Sequence, residues 1–257
     1  MKNLDLKVTH ESLVNFLREN IKATGLKKAV IGLSGGIDSA LVAYLLRDAI
    51  GAENILAIMM PYKTSNPESL LHAKMVVEDL KINSKVIEIT DMVDAYFKNE
   101  PDATMLRKGN KMARERMSIL YDNSAKEGAL VIGTSNKTEI FLGYSTQFGD
   151  SACAINPIGD LYKTNVWDLS RYLGVPSPLI EKKPSADLWE GQTDEQEMGL
   201  TYKEADKILY RLLEEKKSID EIESEGFDLN LIENIVSRMK RSEYKRRMPL
   251  IAELKNR

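Results

Sequence analysis

The chain has 257 residues, 43% of them hydrophobic, enough to cover the core of one large domain. Its 36 Lys and Arg against 39 Asp and Glu leave a net charge of −3, which gives no general attraction to nucleic acid or to an acidic membrane. Cys153 is the only cysteine, and His10 and His72 are the only histidines, so an internal disulfide, a cysteine-based metal site and a histidine metal cluster are all excluded.

The N-terminus mixes Lys2, Asp5 and Lys7 with scattered apolar residues and does not read as a signal peptide. No run of about 18 apolar residues follows, so a cytoplasmic protein without a membrane span is expected. Leu13, Phe16, Leu17 and Ile21 recur at helical spacing, and Gly25 stops that helix. Residues 29–33 form a short apolar run suited to a buried strand, followed by a glycine turn and a helix over 40–50. A second strand is expected at 55–60, ended by Pro61, then a helix over 67–80 with Asn66 as its N-cap. A third strand at 85–89, helices over 92–98 and 110–124, and a fourth strand at 129–133 continue the alternation. Strands alternating with helices predict an α/β fold with a parallel sheet covered on both faces and a ligand beyond the carboxyl ends of the strands. Residues 143–162 and 182–200 read as two long loops around a helix at 165–173. From Lys203 onward the pattern is helical, with Ile208, Leu209, Leu212 and Leu213 on one face and a basic run from Lys240 to Arg247. The whole, 1–257, reads as a single domain with a core of about 26–175 and a helical C-terminal appendage of about 176–257.

The strongest chemical signal is Ser34-Gly35-Gly36-Ile37-Asp38-Ser39, set between a strand and a helix. Adjacent glycines let the backbone turn sharply and present bare N–H groups. The following helix aims its positive end at the same point. Such a cradle suits a pyrophosphate. It has neither the Gly-Lys-Ser/Thr of a Walker loop nor the spacing of the dinucleotide fingerprint. The plain alternative is a glycine turn whose Asp38 or Ser39 caps the helix.

This string resembles the PP-loop of the ATP pyrophosphatases. Further strings narrow the resemblance: 133–139 (Gly-Thr-Ser-Asn-Lys-Thr-Glu), 109–117 around Arg114, 156–163 ending in Lys163, 183–188 with 192–195, and 244–249. In this order they resemble the NAD⁺ synthetases over nearly the full length. That resemblance implies an open, mostly parallel five-stranded sheet of the adenine nucleotide alpha-hydrolase-like kind, and a homodimer with the dinucleotide at its interface. It implies that deamido-NAD⁺, ATP and ammonia give NAD⁺, AMP and pyrophosphate. Since the phosphate loop begins near residue 34, no room precedes it for the glutaminase domain of larger members, and the ammonia-dependent form is implied.

Adenylation turns a poor carboxylate electrophile into one with AMP as leaving group, so no Ser–His or Cys–His pair is needed. The obstacle is electrostatic: two like charges about 4 Å apart repel by about 4 kcal/mol at an effective dielectric near 20. The resemblance assigns Mg²⁺ to Asp38 and Glu139, catalytic roles to Asp38 and Lys163, and ATP contacts to Gly32, Leu33, Ser34, Gly35, Gly36, Ile37, Asp38, Ser39, Thr134, Lys163 and Ser185. Deamido-NAD⁺ falls to Arg114, Gln147, Tyr244 and Lys245. Without it, Lys163 reads better as a solvated loop lysine, Glu139 equally as a helix-surface acid, and the 240–247 run as a solvated helix end. Three positions depart from the family pattern: Gln147 where Lys is common, Ala154 where Asp is common, and Tyr244 in place of His. Tyr144 or Phe148 could stack on a pyridine ring or serve in packing. The two long loops are candidate lids that exclude water from the acyl-adenylate. Rival readings are a GMP-synthetase-type amidating subunit, a tRNA-modifying ligase and a non-catalytic ATP-binding module; the presence of both Asp38 and Glu139 speaks against the last.

Overall fold

The computed structural model describes residues 4–185 and 193–252. Helix α1 (Leu6–Ala23) is capped by Asp5, whose carboxylate accepts from the Val8 N–H, and buries Val14, Leu17 and Ile21. Strand β1 (Lys28–Gly32) leads through the glycine turn into α2 (Ile37–Ile50). Then come β2 (Ile55–Met59), α3 (Pro67–Leu80), β3 (Asn83–Val86), α4 (Thr90–Phe97), α5 (Met105–Glu127) and β4 (Ala129–Ile132). Asn66 caps α3 as expected, with Pro67 in the first turn where its missing N–H costs nothing. The remaining described helices are α6 (Lys137–Leu142), α7 (Lys163–Tyr172), α8 (Ser177–Glu181), α9 (Asp194–Met198), α10 (Tyr202–Leu213), α11 (Ile219–Ser224) and α12 (Leu229–Arg241).

The strands are all parallel, in the order β3-β2-β1-β4. Side chains alternate between the two faces, as the pleat requires. Ala29 and Ile31 of β1 join a core with α1, α2, α3 and α7, while Val30 joins Ile58, Met112 and Val93 beneath α4 and α5. The expected five-stranded sheet has four strands among the described residues. The fifth position holds only an isolated parallel bridge, Ile132 to Ile155, with the Ala154 N–H donating to Val131 O and the Gly133 N–H to Ile155 O. Pro157, two residues on, has no N–H to extend a ladder.

The helical appendage has its own core around Tyr202, Ile208, Leu209, Ile232 and Ile235. Trp167 of α7 packs against both this cluster and the main one, so the two cores are continuous. The expected loop at 182–200 ends in a helix, α9; residues 186–192 of it lie outside the described residues. Among the described residues no helix is long and apolar enough to cross a membrane.

Candidate functional site

Chain order places β2 and β3 on one side of β1 and β4 on the other, so connections leave β1 and β4 in opposite directions. Ligands of open parallel sheets bind at such a switch point, beyond the carboxyl ends of the strands. A cavity of about 970 Å³ opens there, lined by the turn after β1, the turn after β4 and the start of α7.

The glycine turn is built tightly. Gly35 has φ +77°, and a Cβ on it would lie 1.9 Å from the Ser69 carbonyl oxygen. Helix α2 begins at Ile37, three residues before the start expected from periodicity, so Ile37, Asp38 and Ser39 form its first turn. Its N-cap is Gly36, with no side-chain cap hydrogen bond, which removes the reading of Asp38 or Ser39 as a mere cap. The first amides of a helix have no carbonyl one turn behind them and remain available to an anion. Ser39 braces the turn: its hydroxyl donates to Gly36 O at 3.0 Å and accepts from the Ser34 N–H at 3.2 Å.

Three charged groups converge on the cavity floor. Lys163 is the first residue of α7 and only 2% exposed, so it is no solvated loop lysine. Its ammonium donates to Asp38 Oδ2 at 2.5 Å and Glu139 Oε1 at 3.2 Å. Glu139 sits in the first turn of α6 in a capping box with Asn136, and the Asn136 amide also donates to Asp38 Oδ1 at 2.8 Å. Burial opposes the charge on Lys163, but Asp38 and Glu139 outweigh it and hold its pKa above the usual lysine range. Glu139 is pushed up to about 8, first by burial and then by the Asp38 carboxylate, against the pull of Lys163. One lysine thus serves two acids, and Asp38 is its nearer partner.

Thr134, Ser185, Tyr244 and Lys245 also line the cavity, whereas Arg114 and Gln147 do not: the Arg114 Nε–H donates to the Gln147 carbonyl at 3.4 Å. The Lys245 ammonium donates to Gly143 O and Ser145 O at 2.8 and 2.6 Å, and Arg246 reaches the last carbonyls of α6. These two members of the basic run are structural clamps rather than a solvated helix end. Tyr144 lines the cavity and donates its hydroxyl to Glu197, tying the first long loop to α9. Phe148 is 56% exposed at φ +57° and stays out of the lining.

Three participants were not singled out by their motifs. Asp194 lines the cavity and accepts from the Tyr202 hydroxyl at 2.8 Å. The Tyr202 ring centroid lies 5.0 Å from the Lys163 ammonium. Asp206 is 1% exposed. A signal for it existed: Tyr202, Ala205, Asp206 and Leu209 share one helical stripe, and a carboxylate on an apolar stripe is uncommon.

A family model described as NAD synthase matches residues 9–249. The NH(3)-dependent NAD(+) synthetase of Fusobacterium nucleatum subsp. nucleatum is 77% identical over 253 residues, covering 98% of each chain. The NH3-dependent NAD synthetase of Campylobacter jejuni subsp. jejuni superposes with a TM-score of 0.84 at 39% identity, covering 98% of this chain and 100% of that one. The NMN synthetase of Francisella tularensis superposes with a TM-score of 0.88 at 34% identity, again over 98% and 100%. A model match of that span and relatives of that identity lead to one conclusion: the chain belongs to the NAD synthase family.

Proposed function

We propose that this protein is an amide-forming ligase that joins ammonia to the nicotinate carboxyl group of deamido-NAD⁺, cleaving ATP to AMP and pyrophosphate. The observation that carries the reading is the buried Lys163 held between Asp38 and Glu139, beside the uncapped first turn of α2. The glycine turn and the amides of 37–39 hold the pyrophosphate end of ATP. Thr134 and Ser185 offer hydroxyl donors to the nucleotide, and Lys163 offsets the charge of its phosphates.

In the first step a carboxylate oxygen attacks the α-phosphorus, and the bond to the β-phosphate oxygen breaks to release pyrophosphate. In the second, ammonia adds to the acyl carbon, the bond to AMP breaks, and the nitrogen sheds a proton. Asp38 and Glu139 fit Mg²⁺. No cluster of three or more His, Cys, Asp or Glu among the described residues could hold a metal by itself, but Mg²⁺ commonly takes one or two carboxylates plus phosphate oxygens and water. A carboxylate pushed toward its neutral form is one that a divalent cation would relieve. When bound, the ion supplies charge neutralisation at the leaving pyrophosphate.

Arg114, Gln147, Tyr244 and Lys245 serve the dinucleotide, with Arg114 and Gln147 acting from the rim. A second copy of the chain, packed over the exposed Leu106 and Phe148, completes a homodimer. Residues 1–257 act as one unit, in the cytoplasm.

The test is product balance. With ATP, ammonium and deamido-NAD⁺, purified protein is expected to form NAD⁺, AMP and pyrophosphate in equal amounts; glutamine in place of ammonium, or xanthosine monophosphate in place of deamido-NAD⁺, gives no product. Product from glutamine alone would overturn the ammonia-only assignment. Chelation with EDTA is expected to abolish turnover and added Mg²⁺ to restore it. Because a proton competes with the metal for Glu139, whose pKa burial and the Asp38 carboxylate raise, metal affinity of the nucleotide-bound protein rises with pH. Titration at about pH 6.5 and about pH 8.5 checks this; equal affinities remove Glu139 from the metal site.

A second reading adds nicotinate mononucleotide as a substrate for the same chemistry. It is favoured by the position of Arg114 and Gln147 outside the cavity wall and by the superposition on a relative described as an NMN synthetase. A parallel assay comparing kcat/KM for the two substrates decides it.

A further inference from the structure

The C-terminal appendage reaches the reaction centre from behind. Asp206 of α10 is buried, and its two oxygens face different helices. Oδ1 accepts from the Thr138 hydroxyl at 2.5 Å, and Oδ2 accepts from the Thr164 N–H at 2.8 Å. The Thr138 hydroxyl oxygen in turn accepts from the Lys163 N–H at 3.0 Å. Thr138 immediately precedes Glu139, and Thr164 immediately follows Lys163. One carboxylate therefore joins the first turns of the two helices that carry the acid and the base of the cavity floor.

We infer that Asp206 is a positioning residue: through Thr138 and Thr164 it fixes the separation and aim of Glu139 and Lys163. This rests on the proposed reaction for its kinetic readout, though not for its structural one.

Three observations support the inference. Helices α6 and α7 both turn their N-terminal ends toward Asp206, where the helix dipole favours a negative charge. A buried carboxylate is expensive, and apolar residues often replace such groups without loss of stability, so placement where two active-site termini meet marks a geometric task. Tyr202 lies one turn earlier on the same face, with its ring 5.0 Å from the Lys163 ammonium and its hydroxyl on Asp194. Helix α10 thus contacts the lysine at its backbone N–H, through the relay, and at its charged tip. A displacement of about 1 Å at a reacting centre can cost about 10²-fold in rate.

The experiment compares Asp206→Asn, Thr138→Val and Thr138→Ser in the full chain. The Asn side chain keeps the size of Asp and loses the charge; Val keeps the shape of Thr and loses the hydroxyl; Ser keeps the hydroxyl. Two quantities are read in each: kcat with KM for ATP, and the rate at which Lys163 is acylated by acetic anhydride, followed by mass spectrometry. Thr138→Val and Asp206→Asn are expected to lower kcat about 10²-fold with KM for ATP within a few-fold of the parent. Both should acylate Lys163 faster, and Thr138→Ser should restore most of the turnover and the protection. A lower melting temperature with parental kcat and parental acylation would reduce Asp206 to a structural residue and overturn the inference. The acylation arm needs no substrate, so a parent chain inactive on deamido-NAD⁺ would sink the proposed function and still leave positioning decided.

Discussion

Replacing Lys163 with methionine is expected to lower turnover by about 10³-fold while the chain still folds, the size of effect seen when a preorganised charge-stabilising donor is lost. The ammonium is the described cation that meets both Asp38 and Glu139. Without it two carboxylates share a floor that has lost their common partner, and Glu139, already pushed toward its neutral form, gains by taking up a proton. Breaking a buried ion pair by removing one partner costs about 3–5 kcal/mol, less whatever that protonation recovers. The melting temperature should therefore drop as well. Arginine is not expected to rescue, because its planar fork is bulkier than the slot a 2%-exposed lysine fills. Steady-state assays with calorimetry decide the matter; a methionine variant within tenfold of the parent rate would remove Lys163 from the chemistry.

Gly35→Ala is expected to abolish ATP binding and to destabilise the fold. At φ +77° any side chain is strained, by about 1–2 kcal/mol. The new methyl would also meet Ser69 O at 1.9 Å, and that oxygen belongs to the backbone of α3 and cannot rotate aside. Overpacking of this kind adds about 1–3 kcal/mol and must be relieved by moving either the turn or α3. Moving the turn re-aims the amides proposed to hold the phosphates. Ser34→Ala is the milder contrast, since it removes a hydroxyl that accepts from the Gly36 N–H at 3.2 Å without forcing the backbone. Urea titration and equilibrium nucleotide binding on both variants test the argument; parental stability in Gly35→Ala would show that the turn is looser than its geometry.

Much of this is legible in the sequence. The apolar run at 29–33 followed by paired glycines specifies strand, turn and helix through local chemistry alone, and Asn66-Pro67 announces the start of α3 in the same way. The fifth strand failed because pairing beside β4 depends on tertiary approach, and only Ile155 comes near enough before Pro157 ends the ladder. Helix α9 was hidden for a similar reason. Its polar sequence carries no periodic signal, and it is held from outside by Arg238 and Asn234, which donate to the carbonyls of Glu197 and Met198. Lys163 could be named from its motif, but its burial between two acids could not, because those acids come from distant segments. Asp206 is the opposite case: the stripe it shares with Tyr202, Ala205 and Leu209 is readable, and a carboxylate is out of place on it.

The contacts that assemble the floor span long stretches of chain. Asp38 meets Asn136 across 98 residues and Lys163 across 125, and Thr138 meets Asp206 across 68. During synthesis the N-terminal sheet strands and the glycine turn emerge well before α10 does. A chain that ends before α10 therefore carries Lys163 and Glu139 without the carboxylate that joins their helices.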